Sequence, residues 1–261
     1  MVRPVNERAR ADEGPVAVVT GGAIRVGRAI VRALVADGHR LWVHCHRSIG
    51  EAAELAGSLG DACLGVVQAD LGDPEERARL AAAILDPEGP GGGRLDLLVN
   101  NAASFERGPF DARSDDDLAR VLGVNLVAPV SLVRGLLPGL RAGGRGLVVN
   151  ILDLSAYHPW RGYVDHAVAK AGLMMATRAL AVELAPLVRV AGIAPGTVLW
   201  PDEGRFADEA LREKITAAIP LGRVGSPEDV AAAVVFLARS PFLTGIVVPV
   251  DGGRLAAGAG E

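Results

Sequence analysis

His166 and Lys170 stand four residues apart in the stretch GYVDHAVAK, residues 162–170. On a helix that spacing puts both side chains on one face. Asp153 follows the apolar run GLVVNIL and so stands at the carboxyl end of an expected strand. That is the edge where open α/β sheets bind ligands. A carboxylate, an imidazole and an ammonium gathered there can do general acid–base work. An imidazolium is a competent acid near neutral pH, since unperturbed His titrates near ~6.5 and Tyr near ~10. The three groups act on one another. Lys170, and any cationic ring beside it, favours the neutral imidazole; Asp153 within ~4–6 Å favours the imidazolium. The apparent pKa then belongs to the group and not to His166 alone. Tyr163 lies three residues before His166 and seven before Lys170, which puts a hydroxyl on a nearby face.

A different chemistry is written at the start of the chain. The run VAVVT, residues 16–20, leads into Thr20-Gly21-Gly22-Ala23-Ile24-Arg25-Val26-Gly27 and then a helical pattern. Glycines allow a tight turn and close approach of the backbone to a phosphate, and the helix start offers N–H groups and a positive dipole end. The second strand ends in His44-Cys45-His46-Arg47-Ser48, with no carboxylate before Glu51. A free ribose hydroxyl calls for an acidic residue at that place. Arg47 can instead grip a phosphate with its fork, and His46 and Ser48 can donate to it. These residues point to NADP(H) rather than NAD(H).

The elements that must hold these groups alternate along the chain. Strands are expected at 16–20, 40–45, 62–68, 95–100, 146–152, 188–194 and 246–250. Several are apolar without alternation, as strands covered on both faces should be. Helical patterns fall near 26–38, 50–59, 74–86, 115–122, 126–141, 161–185 and 227–239. Asp73-Pro74-Glu75-Glu76 and Ser226-Pro227-Glu228-Asp229 read as helix starts, and Ser114 precedes three aspartates. The alternation implies one Rossmann-like α/β domain over 15–254, a doubly wound parallel sheet of about seven strands with helices on both faces. Residues 196–225 form a long excursion, read as a substrate lid with a helix near 207–218. GPGGG, residues 89–93, reads as a flexible surface loop. Residues 1–14 read as a disordered lead-in, and 255–261 as a frayed tail.

Composition narrows the classes of function. Half of the 261 residues are hydrophobic, enough for a sizeable core, and the net charge is only −4 with both signs scattered. No basic stripe suggests nucleic acid or an anionic membrane. No apolar run suggests a membrane-crossing helix. Cys45 and Cys63 make neither a metal pattern nor a disulfide framework, which fits a cytoplasmic protein with reduced thiols and no metal. The helix over 161–185 is apolar on almost every face, with Ala167, Ala169, Ala171, Met174, Met175 and Ala179. One face should cover the sheet; the other calls for a partner, hence a homodimer or homotetramer.

The motifs taken together resemble the short-chain dehydrogenase/reductase family. They are the glycine turn, Asn100-Asn101-Ala102, Asn125, Lys170, Pro195-Gly196 and Val250-Asp251-Gly252-Gly253, in order from about 15 to 254. Arg25 in the turn, His-x-Arg-Ser after strand two, Asn101-Ala102-Ala103-Ser104-Phe105, Leu152-Asp153 and Gly196-Thr197-Val198-Leu199-Trp200-Pro201 look most like pteridine and dihydromonapterin reductases. The resemblance implies roles. Gly21, Arg25, Val26 and Gly27 would hold cofactor phosphate, and Asp70 and Leu71 would flank the adenine. Asn101 and Ala102 would pass under the cofactor, and Pro195, Gly196 and Val198 would hold its carboxamide. Lys170 would hold a ribose, and Asn125 would position water in a proton relay. Arg25, Phe105 and Trp200 would meet substrate, Phe105 by stacking a planar ring. The family carries Tyr where this chain has His166. Tyr163 is a weak stand-in, because pteridine reductases carry a Tyr there as well. The expected activity is NADPH-dependent hydride transfer to a pterin- or dihydrofolate-like C=N ring. Alternatives are a carbonyl reductase of the same family and a catalytically weak NADP(H)-binding protein.

Overall fold

The computed structural model describes residues 14–200 and 208–258. Residues 1–13 of the expected lead-in, residues 201–207 of the expected lid and the last three residues of the expected tail lie outside the described residues. Among the described residues seven parallel strands form one sheet in the order β3-β2-β1-β4-β5-β6-β7. They are β1 Val16–Val19, β2 Arg40–Cys45, β3 Cys63–Gln68, β4 Leu97–Asn100, β5 Gly146–Ile151, β6 Val188–Pro195 and β7 Val247–Val250. The chain starts in mid-sheet, winds outward through β3, then returns to lay β4 against the other side of β1. A crevice therefore opens beyond the carboxyl ends of β1 and β4, where the winding reverses.

Every residue of β1, β4 and β5 is buried, because helices cover both faces of the sheet. Alternate strand residues feed two cores. Ala17, Val19, Leu41 and Val43 pack under α1 (Arg25–Ala36), α2 (Ile49–Leu59) and the C-terminal helix, through Ile30, Leu34, Leu55 and Val234. Val16, Val18, Leu98 and Val148 pack under α3 (Pro74–Leu85) and its neighbours, through Leu80, Ile84, Leu132 and Leu136.

The caps set the helix starts as the sequence suggested. Asp73 accepts from the N–H groups of Glu75 and Glu76 ahead of Pro74. Ser114 opens α4 (Asp115–Leu122) with a capping box closed by Asp117. Ser226 and Asp229 do the same for the helix over Pro227–Arg239. Each such cap stabilises by about 1 kcal/mol.

Four features differ from expectation. The two helices expected at 115–122 and 126–141 are one continuous run. A π-helical turn, Gly123–Val127, joins α4 to α5 (Ala128–Ala142) and turns Asn125 into the interior. This run, Asp115–Ala142, is long and apolar enough to cross a membrane by length and composition. Here Leu132, Leu136 and Leu140 pack it on the sheet. The loop 89–93 is not loose: Gly91 is buried, and a Cβ there would stand 3.1 Å from the Trp42 indole nitrogen. The tail is turned as far as Gly258, with Asp251 accepting from Leu255 N–H and Ala257 N–H donating to Gly253.

The last helices complete the chain. α6 spans Val164–Leu184, α7 spans Glu209–Ala217 within the expected lid, and α8 is the helix over Pro227–Arg239. α6 is not buried all round in the single chain. It turns Ala169, Leu173, Thr177 and Ala181 inward and leaves Val164, Val168, Met175 and Val182 exposed.

Candidate active site

Asp153 leaves the end of β5 in extended conformation. One carboxylate oxygen accepts from Ser155 N–H at 2.8 Å and from the Ser155 hydroxyl. The other oxygen is turned to the Nε2 of His166, 2.5 Å away. His166 and Lys170 lie in the first two turns of α6, both buried. Lys170 donates from Nζ to the carbonyl of Ile151 at 2.8 Å. Its ammonium is thus tied to the strand end that carries Asp153. Burial pushes the Lys170 pKa down, and the Asp153 charge opposes this. Burial alone would raise the Asp153 carboxyl. The His166 hydrogen bond and the Lys170 charge outweigh it and hold that carboxyl below its usual value.

The second ring nitrogen of His166, Nδ1, lies 3.1 Å from the carbonyl oxygen of Ser104. A carbonyl only accepts, so Nδ1 donates in that bond. Asn125 holds the same backbone: its Oδ1 accepts from Ser104 N–H and its Nδ2 donates to Ser104 O, both at 2.8 Å. Asn125 Nδ2 also lies 3.4 Å from His166 Nδ1. Each ring nitrogen of His166 thus has an acceptor in reach, the Asp153 carboxylate at Nε2 and the Ser104 carbonyl at Nδ1.

An aromatic wall closes over this group. Phe105 stacks on Tyr163 with ring centroids 4.7 Å apart and meets His166 edge-on at 4.9 Å. Trp160 meets both Phe105 and Tyr163 edge-on. One face of Phe105, expected to stack a flat substrate, is thus occupied by Tyr163, and the ring is about half exposed.

The loop that carries Phe105 is pinned by charge. Glu106 accepts from Ser104 Oγ, Arg113 and Arg120, and its carboxyl is held down to about 2, chiefly by the Arg120 hydrogen bond. Arg113 also donates through Nε to the largely buried Asp165 at 2.8 Å, next to His166 in sequence. Glu106, Arg113, Arg120 and Asp165 escaped the sequence reading. Arg113 and Asp165 are 52 residues apart, and nothing local joins them.

The second group of expected residues lines the same sheet edge around the β1–α1 turn. The Thr20 hydroxyl accepts from the N–H groups of both Asn101 and Ala102. Asn101 Nδ2 donates back to the carbonyls of Thr20 and Gly21. Gly21 takes φ +60°, and a Cβ on Gly27 would lie 2.0 Å from the Gly21 carbonyl oxygen. No side chain caps α1 at Ile24. The turn is therefore a backbone cradle that side chains would fill, a form suited to a phosphate. Arg25 sits in the left-handed region at φ +53°, and its guanidinium reaches the carbonyl of Trp200 at 3.5 Å. The Trp200 ring lies under the Arg212 guanidinium, 5.4 Å from its centroid.

The residues expected at the adenine are also fixed in place. Asp70 N–H donates to Glu76 and the Leu71 carbonyl accepts from Arg77, each at 2.5 Å. His46 and Arg47 are exposed, with His46 Nε2 3.9 Å from Asp70. Ser48 precedes α2 with no side-chain capping bond. At the far end, Gly196 donates to Val250, and a Cβ on Gly196 would meet Asp251 at 2.9 Å. The backbone there passes close, with Pro195 ending β6 and Val198 packed beside Gly225.

A doubly wound sheet with a glycine cradle after β1 and an acid–base group after β5 defines a nucleotide-dependent oxidoreductase. The chain belongs to the short-chain dehydrogenase/reductase family: residues 22–254 match the family model described as enoyl-(acyl carrier protein) reductase. It is 34% identical to a protein of Streptomyces violaceoruber described as ketoacyl reductase 2 of the granaticin polyketide synthase, over 93% of this chain and 97% of that one. It is 32% identical to pteridine reductase 1 of Leishmania tarentolae, over 92% and 96%. Among solved structures it is similar to one described as an NAD(P)-dependent gluconate 5-dehydrogenase of Beutenbergia cavernae, with NADP bound at low occupancy. The TM-score is 0.85 at 34% identity, covering 93% of this chain and 97% of that one.

Proposed function

We propose that this protein is an NADPH-dependent reductase of a pterin- or dihydrofolate-like C=N ring, in which His166 and Asp153 together supply the proton. The observation that carries this reading is the pairing of both His166 ring nitrogens with acceptors, Asp153 on one side and Ser104 on the other. A bound NADPH supplies the hydride. The glycine cradle with Arg25, Val26 and Gly27 would hold its phosphates. Asp70 and Leu71 would lie at the adenine, Asn101 and Ala102 beneath the cofactor, and Pro195, Gly196 and Val198 at the carboxamide. His46, Arg47 and Ser48, with no carboxylate before Glu51, favour the 2′-phosphate of NADPH over the bare ribose of NADH.

The proton step follows from burial. His166 is 2% exposed and Asp153 18%, so the carboxylate is the member of the pair that substrate can meet. The proton on His166 Nε2 passes to the Asp153 carboxylate and on to the substrate ring nitrogen, so that the carboxylate ends ionised as it began and the imidazole is left neutral. Asn125 and Ser104 hold the imidazole in place. Lys170 holds the strand end and would reach the cofactor ribose. The free face of Phe105, backed by Tyr163 and flanked edge-on by Trp160, is the surface against which a planar ring would lie, with Trp200 and Arg25 at the lid side. Residues 196–225 act as the lid in this reading.

The similarity to a protein described as a ketoacyl reductase supports a second reading, a carbonyl reductase. An alkoxide leaving a ketone needs its proton promptly, whereas a ring nitrogen can also draw one from water. Replacement of Tyr by His is therefore better tolerated in C=N reduction. NADPH consumption with a dihydropterin, a quinone and a ketone panel decides. Turnover of the dihydropterin that is lost in Asp153→Ala supports the first reading. Turnover of ketones alone supports the second, and cofactor binding without turnover means a binding protein. The exposed side of α6 is assigned to a homodimer or homotetramer interface, and the reduced thiols fit a cytoplasmic setting.

A further inference from the structure

His44 lies outside the acid–base group, in β2, and is 1% exposed. Its Nδ1 is 3.0 Å from the backbone nitrogen of Gly21, and its Nε2 is 3.0 Å from the carbonyl oxygen of Ala69. A backbone N–H can only donate and a carbonyl can only accept. The ring is therefore neutral, with its proton on Nε2. The main chain of His44 joins in, because its carbonyl accepts from Gly22 N–H at 2.9 Å. Gly21, held at φ +60°, is thus gripped by Asn101 through its carbonyl and by His44 through its N–H. On the far side the same ring fastens Ala69, directly before Asp70 and Leu71. One imidazole bridges the glycine cradle and the adenine wall.

We propose that His44 is a positioning residue for the dinucleotide, setting the cradle against the adenine wall only as the neutral Nε2–H tautomer, so that cofactor affinity is lost when it is protonated. This rests on the reading that the cradle holds a nicotinamide dinucleotide. Protonation would turn Nδ1 from acceptor to donor, facing another donor, and Gly21 would lose its partner inside the protein. Burial keeps the proton off and brings the His44 pKa down to about 4. His46, on its own strand end, acts in the same direction; Asp70, after β3, and the hydrogen bond to Ala69 act against it. The strand residues beside it, Val43 on β2 and Val67 opposite on β3, are apolar.

The test uses the full chain without cofactor and then with NADPH. Nitrogen-15 NMR of the histidine rings should show His44 protonated on Nε2 alone at neutral pH. His44→Leu should weaken NADPH binding about tenfold or more, the scale of one buried hydrogen bond lost. The Michaelis constant for substrate at saturating NADPH should hardly move. His44→Asn places an amide oxygen near the position of Nδ1 and should recover most of the affinity; His44→Gln, whose oxygen lies further out, should not. An Nδ1-protonated or charged ring at neutral pH overturns the proposal whether or not any variant folds. A parent chain that binds NADPH and a folded Leu variant that binds it equally well overturn the positioning role alone. A parent chain that binds neither NADPH nor NADH overturns the cofactor reading, and the positioning role with it.

Discussion

His166 is held between two acceptors, and Asp153 is held by three donor groups, two on Ser155 and one on His166, beside the Lys170 charge. Neither residue has a spare partner, so each substitution should be felt. Asp153→Asn and His166→Ala should each lower kcat/KM for reduction by about 10²–10⁴-fold, the range of a positioned general acid. NADPH affinity should change little, which a fluorescence titration of the same variants checks. The acid–base pair was legible in the sequence because Asp153 follows a strand and His166 precedes Lys170 by four. Its actual contact was not, since the 13-residue gap between Asp153 and His166 crosses a loop of unreadable course. His44 was missed for a simpler cause: a His in an apolar strand looks like a strand residue until its two hydrogen bonds are seen. It also makes a pH prediction. Its folded pKa, about 4, lies below the ordinary 6.5. The unfolded chain therefore binds the extra proton between those values, and stability present above 6.5 is lost as pH falls to about 4. The loss is on the order of 3 kcal/mol. Asp153, depressed below the carboxylate range, adds a further loss at lower pH. Denaturant titrations in which His44→Asn removes the step above pH 4 would bear this out; an unchanged step would not.

At the scale of elements, α6 carries Tyr163 at its start, then Asp165, His166 and Lys170 on its inner side. The loop that holds Ser104 and Phe105 is tied to it by Arg113 and Asp165. Arg113→Ala should release that loop and raise KM for substrate several-fold with a smaller effect on kcat. It should also lower the thermal midpoint, because Asp165 is left buried without its partner. Equal kcat and KM in the variant would mean the loop holds its place by other contacts. Helix starts were readable because caps are local: Asp73, Ser114 and Ser226 each stand within three residues of the N–H groups they satisfy. The π-turn at Gly123–Val127 was not readable. It shifts one hydrogen bond from four residues to five, which no apolar period records, yet it is what turns Asn125 inward.

At the scale of the molecule, strand–helix alternation with unbroken apolar strands leaves little choice but a parallel sheet covered on both faces, and the sheet order follows that form. What lies on the outer surface is less constrained. The exposed side of α6, with Val164, Val168, Met175 and Val182, is a line of apolar residues at helical spacing. Such a line is unusual on a monomer and usual at an interface. Sedimentation should find a dimer or tetramer, and Val168→Asp with Met175→Lys should shift it toward monomer. A parent chain that sediments as a monomer contradicts this assignment.

The decisive measurement is the pH dependence of single-turnover NADPH oxidation by a dihydropterin, with the chemical step rate-limiting. If the His166–Asp153 pair supplies the proton, the rate falls as pH rises in the parent chain, and a folded His166→Ala variant, left to draw its proton from water, loses both most of the rate and that fall. A rate that stays flat up to about pH 9 in the parent chain, well past the ordinary range for His, would contradict it.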